Sequence, residues 1–337
     1  MIGTAVDWAI DQAAQPARRR QVTRLAGWLL PVVAVGLPLV LDPIALRRTA
    51  SLVVLALAVL GVVVATGYTG LISLGHGAFV GLGAFAMGAF VDHLSMPFPL
   101  AVAASFACCW AAGWLLGLPA LRVRGVYLAL ITLGLAVVFP SLAKRFPAVT
   151  GGVTGRPIDA TLDAPAWLGD DHTVTWRYFF CLLVVAIMFV LTGNVVRGRP
   201  GRAMRAVRDG ETAAATFGVR AVTTKAGAFA LSAGLAGTAG ALQVVLFPFV
   251  SHEQFDAFLS LRLYAAAVVG GVASVAGAVY GVLALILVPS INDAAGLLDN
   301  DTLVFGIGLI VLTLLAPGGI AEWVRRAGRD PTDADRR

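Results

Sequence analysis

The residues of this chain best suited to chemistry lie in one glycine-dense segment, residues 67–81, which reads GYTGLISLGHGAFVG. His76 in this segment is the only histidine embedded in an apolar run. An ionisable side chain among apolar residues is a functional candidate when the run lies in a membrane. His76 alone, without a carboxylate partner, cannot form a proton relay or a metal site. We favour a neutral histidine that hydrogen-bonds to a backbone carbonyl freed by the glycines.

The glycine density of residues 67–81 predicts a helix that breaks, unwinds or re-enters, because each glycine costs a helix up to about 1 kcal/mol relative to alanine. Broken backbone at membrane depth is tolerated where protein or a water-filled cavity covers it, and transporters place their pathways there. The alternative is close helix packing alone, through the pair Gly77 and Gly81.

The glycine pattern recurs in the second half of the chain. Four positions of the first pattern and four of the second share the same spacing: Gly70, Gly77, Ala78 and Gly81, then Gly270, Gly277, Ala278 and Gly281. Glycine-interrupted segments in both halves indicate a transport site, although 38 glycines also permit a chance match. The residues predicted to line or hinge a pathway are Gly67, Tyr68, Gly70, Ser73, Gly75, His76, Gly77, Gly270, Gly271 and Gly277.

A second constellation lies in residues 201–218, where small residues recur at helical spacing between charged ones. A face made mostly of alanine is too small to hold a membrane well and suits a groove on another protein, with salt bridges around it. A solvated loop is the alternative, and Gly218 is a plausible stop signal for the helix. The predicted docking residues are Arg202, Arg205, Ala206, Arg208, Asp209, Glu211, Ala214 and Gly218.

Several catalytic and nucleotide-binding patterns are missing from the sequence. It contains no GxxxxGK[ST], HExxH, CxxC or GxSxG. Its three cysteines all lie in apolar stretches and show no metal-site or disulfide spacing. We therefore expect a protein that is not an enzyme and holds no metal or cofactor of its own.

The elements that position these residues are apolar and long. The chain of 337 residues is 58% hydrophobic and 13% charged, with a mean hydropathy of +0.85, whereas a soluble domain is about 25% charged. The apolar stretches cover about 25–41, 49–66, 70–91, 98–118, 126–143, 178–196, 226–246, 260–290 and 302–316. None of the 19 carboxylates lies inside them, so the interior lacks the acids that proton- or sodium-driven carriers need. The energy for any transport should come from another subunit.

Charge bias predicts the topology. Most of the 25 lysines and arginines lie before residue 25, in residues 197–225 and in the tail after residue 316, and basic loops face the cytoplasm. Both termini are then cytoplasmic and the number of crossings is even. Two short passes around Ala273 and Ser274 in the stretch 260–290 give about ten spans, with eight spans plus re-entrant pieces as the rival.

The predicted fold class is an all-α, polytopic membrane protein with glycine-broken or re-entrant segments. Its permease domain covers residues 25–316, between a cytoplasmic segment 1–24 and a cytoplasmic tail 317–337. Within that domain, residues 144–177 form an external loop and residues 197–225 form a cytoplasmic loop, called here the coupling segment.

Several blocks in order resemble the LivM-type permease subunits of branched-chain amino acid ABC importers. The blocks are GYTGLISLGHGAF (67–79), LRVRGVYLALITLG (121–134), TGGVTG (150–155), the segment 202–218, VVGGVASVAGA (268–278) and APGG (316–319). The resemblance covers roughly residues 25–325. The chain departs from the family in its thin acidic content, Asp209 and Glu211, and in Phe217 where a leucine is common.

The resemblance implies a set of partners in a bacterial plasma membrane. A homologous second permease would pair with this chain, two cytoplasmic ATPases would bind ATP and Mg²⁺ and dock on the coupling segment, and an external binding protein would deliver the solute. Leucine, isoleucine or valine is the implied solute, with urea, amides or other amino acids in related systems. The lipid bilayer surrounds the chain, and no nucleic acid partner is expected.

The rival function is a secondary transporter or facilitative channel for a small neutral or zwitterionic solute, which would need no ATPase. Arg262, near the start of the stretch 260–290, either meets a substrate carboxylate or extends to the membrane interface.

Overall fold

A computed structural model describes residues 36–39, 41–120, 126–165, 169, 172–295, 306 and 319–322. The chain divides into two units, Met1–Arg48 and Thr49–Arg337, and the following description concerns the second. The predicted N-terminal segment 1–24, most of the stretches 25–41 and 302–316, and most of the tail lie outside the described residues.

Helices dominate the described part of the chain. In order they are α1 (Pro43–Val62), α2 (His76–Asp92), α3 (Phe98–Ala120), α4 (Val126–Arg145), α5 (Pro147–Thr150), α6 (Thr173–Arg197), α7 (Arg199–Asp209), α8 (Glu211–Thr216), α9 (Ala221–Leu246), α10 (Ala257–Gly270) and α11 (Val275–Ala295). A π-helical segment, Val63–Tyr68, continues α1, and a 3₁₀ turn, His252–Phe255, precedes α10. Strands β1 (Arg156–Pro157) and β2 (Phe249–Val250) pair antiparallel, with Arg156 opposite Val250.

Five described helices are long and apolar enough to cross a membrane: Pro43–Tyr68, Phe98–Leu118, Tyr127–Arg145, Thr173–Arg197 and Ala221–Leu246. A sixth candidate is the pair Ala257–Gly270 and Val275–Leu285, which is bent by 116°. This confirms the all-α, polytopic membrane class. The number of about ten crossings stays a prediction, since two of the proposed spans lie largely outside the described residues.

Helix α9 forms the centre of the described bundle. Its apolar window is 89% buried, compared with 22% for α6. Small residues make this possible, because a Cβ on Gly83 would come within 2.0 Å of the Gly237 carbonyl oxygen, and one on Gly240 within 1.8 Å of the Val80 carbonyl oxygen. Helices α2 and α9 therefore touch backbone to backbone, as membrane helices do where glycines meet.

Both predicted helix breaks are present. The first lies between Tyr68 and His76, and the second covers residues 271–274, where the sequence placed it. Close packing is also present, since a Cβ on Gly77 would lie 2.6 Å from Ser260 Oγ and one on Gly81 would lie 2.3 Å from the Phe139 ring. The glycines of residues 67–81 thus serve both functions that the sequence left open.

Polar contacts gather around the two strands. Arg156 Nη2 donates to Asp92 Oδ2 at 2.9 Å, and Arg156 Nη1 lies 2.8 Å from His93 Nε2. The backbone N–H of Ala160 donates to Asp92 Oδ1 at 3.4 Å. We call Asp92, His93, Arg156 and strands β1 and β2 the ribbon cluster.

Candidate functional site

The backbone of the first break is hydrogen-bonded locally. The N–H groups of Gly70 and Leu71 donate to the carbonyls of Thr66 and Ala65, both at 3.1 Å. The Thr66 hydroxyl donates to the Leu71 carbonyl at 3.0 Å, and the Thr69 hydroxyl donates to the Ala65 carbonyl at 2.5 Å. The chain turns at Gly70, whose φ of +71° suits glycine. Broken backbone is stable in an apolar setting only with such partners.

Neighbouring helices supply further partners to the break. The Leu74 N–H donates to Thr132 Oγ1 on α4 at 2.9 Å, and the Gly77 N–H donates to Ser260 Oγ on α10 at 2.9 Å. Sequence analysis missed both hydroxyls. Their signal was a polar residue inside an apolar stretch, which alone does not say what it binds.

His76 bonds to a hydroxyl side chain of helix α9. Its Nε2 lies 2.5 Å from Ser232 Oγ, and that hydroxyl donates to the Gly61 carbonyl at 2.7 Å. Because the serine proton is used on the carbonyl, Nε2 must carry the histidine proton. Ser232 therefore links the imidazole to the Gly61 carbonyl, and the direct bond to a backbone carbonyl stays a prediction. All three residues are buried in the apolar core.

The two breaks meet each other. A Cβ on Gly67 would lie 1.7 Å from the Val272 carbonyl oxygen, so only glycine permits this contact. The π-helical segment that ends at Tyr68 also contacts α11. We call residues 67–70 and 271–275 the break junction.

The structure places the predicted pathway and hinge residues in three groups. Gly67, Tyr68, Gly70 and Gly271 lie in the break junction. Ser73, Gly75, His76 and Gly77 follow it, where Ser73 is fully buried and a Cβ on Gly75 would lie 2.9 Å from the Thr132 carbonyl oxygen. Gly270 and Gly277 close the turn between α10 and α11, since a Cβ on Gly270 would lie 1.9 Å from the Gly277 carbonyl oxygen.

A cavity of about 250 Å³ lies elsewhere, between helices α1, α2 and α9 and the 3₁₀ turn. Its walls are mainly apolar, with Leu55, Phe247 and Phe255 among them and two glutamines, Gln243 and Gln254. The Gln243 amide donates to Ser51 Oγ at 3.0 Å. None of the predicted pathway residues lines this cavity, and a glutamine inside an apolar stretch was the signal that sequence analysis passed over.

The coupling segment folds as helices α7 and α8, and its small face is partly covered by its own chain. Val207 and Ala214 are buried, with 2% and 3% of their surfaces exposed, and Ala206 is half-buried. A role of Ala214 in docking stays a prediction, and its burial shows that a helical spacing does not tell which neighbour covers a residue. Phe217 is exposed over 88% of its surface.

Three charged residues of the coupling segment also bond within the chain. Arg208 Nη1 donates to the Gly67 carbonyl in the break junction, and Lys225 pairs with Glu211. Arg202, Arg205 and Asp209 are exposed. Helix α8 ends before Gly218, whose φ of +79° agrees with the predicted stop signal.

Arg262 lies over the Phe258 ring, with its guanidinium carbon 4.6 Å from the ring centroid.

Residues 44–313 match a family described as the permease component of the branched-chain amino acid transport system. The chain belongs to this family. It is 28% identical over 290 residues to the high-affinity branched-chain amino acid transport system permease protein LivM of Escherichia coli K12, covering 79% of this chain and 67% of LivM. The LivM of Salmonella typhimurium is 27% identical over 320 residues, with coverages of 88% and 74%.

The permease protein LivH of Escherichia coli K12 is also similar, at 24% identity over 278 residues, covering 79% of this chain and 90% of LivH. No solved structure gives a significant match. The LivM-type resemblance is thereby confirmed. Both helix breaks and the coupling segment of this permease lie within the matched range.

Proposed function

We propose that this chain is one of two permease subunits of an ATP-driven importer that moves branched-chain amino acids by alternating access. The carrying observation is the contact between the coupling segment and the break junction, through Arg208 and Gly67. A segment suited to docking is thus joined to the two places where membrane helices are interrupted. Similarity to both LivM and LivH supports a second, homologous permease as the pairing partner.

The proposed orientation puts α7 and α8 in the cytoplasm, where their arginines follow the positive-inside rule. Helix α2 begins at His76, after the break junction, and ends at Asp92 in the ribbon cluster, so the ribbon cluster then faces outward. Both termini are cytoplasmic in this arrangement, and about ten spans of a bacterial plasma membrane satisfy it.

The energy source follows from where the acids lie. In the described part of the chain, every carboxylate lies in a loop or near a helix end, as Asp92 and Asp209 do. Ion-driven carriers place ionisable groups inside the bundle as coupling sites. We propose that ATP and Mg²⁺ bind in two cytoplasmic partner subunits and that these move this chain.

The solute is proposed to be leucine, isoleucine or valine, with urea, amides or other amino acids as the wider class. A zwitterion needs no net counter-charge, and the apolar cavity beside Gln243 suits an aliphatic side chain. Its volume is below the about 300–1,000 Å³ of drug-sized sites, which fits a small solute. An external binding protein would supply the affinity.

The test is uptake by the assembled complex in vesicles. We expect radiolabelled leucine to accumulate when ATP is supplied on the side of the membrane that carries the ATPases and the binding protein is present. Accumulation should stop without ATP. Competition by isoleucine, valine, urea and amides then ranks the solutes. Uptake by this chain alone, driven by a proton or sodium gradient, would favour the secondary transporter and overturn the proposal.

A further inference from the structure

Arg208 occupies a hydrogen-bonding position that the helix break vacates. In a continuous α-helix the Leu71 N–H would donate to the Gly67 carbonyl, four residues earlier. In this structure the Leu71 N–H donates to Ala65 instead, at 3.1 Å. Arg208 Nη1 donates to the Gly67 carbonyl in its place. A side chain of the coupling segment thus completes the end of a membrane helix.

The electrostatics of this position favour a cation. Carbonyls at a helix C-terminus carry partial negative charge, so a guanidinium there is attracted by the helix dipole as well as by the single oxygen. A hydrogen bond from an ionised donor is also stronger than one between neutral groups. The stem of Arg208 adds contact, since its Cγ would lie 3.4 Å from a Cβ on Gly70.

The same peptide that Arg208 holds touches the second break. Gly67 lies against the Val272 carbonyl so closely that a methyl group would not fit. The π-helical segment Val63–Tyr68 connects the same regions, since it contacts both α7 and α11. Arg205 and Arg208 are three residues apart and share one face of α7. A movement of that face of α7 would therefore be passed to both helix breaks through the Gly67 peptide.

We propose that Arg208 is the positioning residue that transmits movement of the coupling segment to both helix breaks. This rests on the proposed function, because the movement is supplied by a docked ATPase. When the ATPase displaces α7, the Arg208 guanidinium pulls the Gly67 carbonyl through their hydrogen bond, and the break junction shifts with it. A cap that only stabilises the helix end would behave differently, because its loss would lower stability and leave coupling intact.

The experiment uses the complete complex of this chain, a second permease, two ATPases and the binding protein in vesicles. Arg208→Ala, Arg208→Gln and Arg208→Lys are compared with wild type, and Arg199→Ala, at an exposed arginine of the same helix, is the matched control. Three quantities are measured: the ATPase bound per permease, the rate of ATP hydrolysis, and the radiolabelled leucine transported per ATP hydrolysed. Thermal melting of each complex is recorded beside them.

We expect Arg208→Ala to bind the ATPases normally and hydrolyse ATP while transporting about tenfold less leucine per ATP, as loss of one charge-assisted hydrogen bond predicts. Arg208→Lys should recover part of the ratio, and Arg199→Ala should keep the wild-type ratio. Should the alanine variant assemble poorly, the glutamine variant, which keeps the length and a neutral donor, carries the same comparison.

A wild-type ratio of leucine to ATP in Arg208→Ala overturns the proposal, and so does a lower melting temperature with an unchanged ratio. A fall in ATPase binding by both Arg208→Ala and Arg208→Gln also overturns it, because Arg208 would then act in docking. Failure of the wild-type chain to bind any ATPase is a separate result, which overturns the proposed function itself.

Discussion

The ribbon cluster and the break junction lie at opposite ends of α2 and are held together by different physics. The ribbon cluster is fixed by an ion pair between Asp92 and Arg156 and by two paired strands, with the acid almost fully buried. The break junction is held by close contact of glycine with a backbone carbonyl and by one arginine from the coupling segment. The ribbon cluster is held by charged and strand-pairing partners, whereas the break junction depends on close backbone contact and one arginine, so we propose that the permease moves at the junction.

The largest effect is expected from a methyl group at the break junction. Gly67→Ala puts a Cβ against the Val272 carbonyl oxygen, and overpacking of this kind should lower transport by about 100-fold. Leucine uptake by the complex measures the effect. Gly134→Ala is the control, because nothing lies within 4 Å of its added Cβ, and it should transport normally. Normal uptake by Gly67→Ala would refute the contact between the two breaks.

The next effect is on stability at the ribbon cluster. Asp92→Asn leaves Arg156 without its charged partner and should lower the free energy of unfolding by about 3 kcal/mol, with the ratio of leucine to ATP unchanged. Thermal or denaturant unfolding of the purified complex provides the measurement. Asp163→Asn is matched to it, because that carboxylate also pairs with an arginine, Arg177, but is 65% exposed, so the change should be under about 0.5 kcal/mol. Equal losses in the two variants would contradict the role of the ion pair between Asp92 and Arg156 in the ribbon cluster.

A smaller effect is expected at the exposed end of the coupling segment. Phe217→Ala should weaken ATPase binding by about 2 kcal/mol, as loss of an aromatic anchor does, while the isolated permease keeps its melting temperature. Ala214→Leu should do the reverse and destabilise the permease, since Ala214 is buried in its own chain. Co-purification and melting of both variants decide the matter. If the Ala214→Leu permease keeps its melting temperature and only its binding to the ATPase is lost, then Ala214 does not belong to the permease core.

The smallest effect is expected between the two regions, at His76. Ser232→Ala removes the hydrogen-bond partner of the imidazole and should cost about 1–3 kcal/mol of stability. Transport should keep the wild-type pH profile, because the Ser232 hydroxyl that bonds to His76 does not titrate in the physiological range. A pH profile displaced by the substitution would show that His76 takes part in transport.

The sequence predicted those features of the fold that depend on local composition. Glycine density located both breaks, including the one at Ala273 and Ser274, because weak helical propensity acts where the glycines stand. Features that depend on tertiary contacts were missed. Three hydroxyl side chains form hydrogen bonds with residues more than 50 positions away in the sequence, and no spacing rule connects the partners: Ser232, Thr132 and Ser260.

The candidate site was predicted in the same uneven way. The break residues and the coupling segment were found separately, as two motifs, and their contact through Arg208 was not foreseen. Helical spacing put Ala214 and Phe217 on one face of the coupling segment but did not show that the chain covers Ala214 and leaves Phe217 exposed. A periodic pattern tells which residues share a face, whereas the packing of the folded chain decides what that face meets.

The most direct test is backbone hydrogen exchange of the complete complex, with and without a non-hydrolysable ATP analogue. The account predicts that binding of the analogue changes the exchange of residues 67–77 and 271–275, and that the amides around Asp92 and strands β1 and β2 stay as they were. In Arg208→Ala the change at residues 67–77 should disappear. An analogue that alters the ribbon cluster and leaves the break junction unchanged would contradict the account.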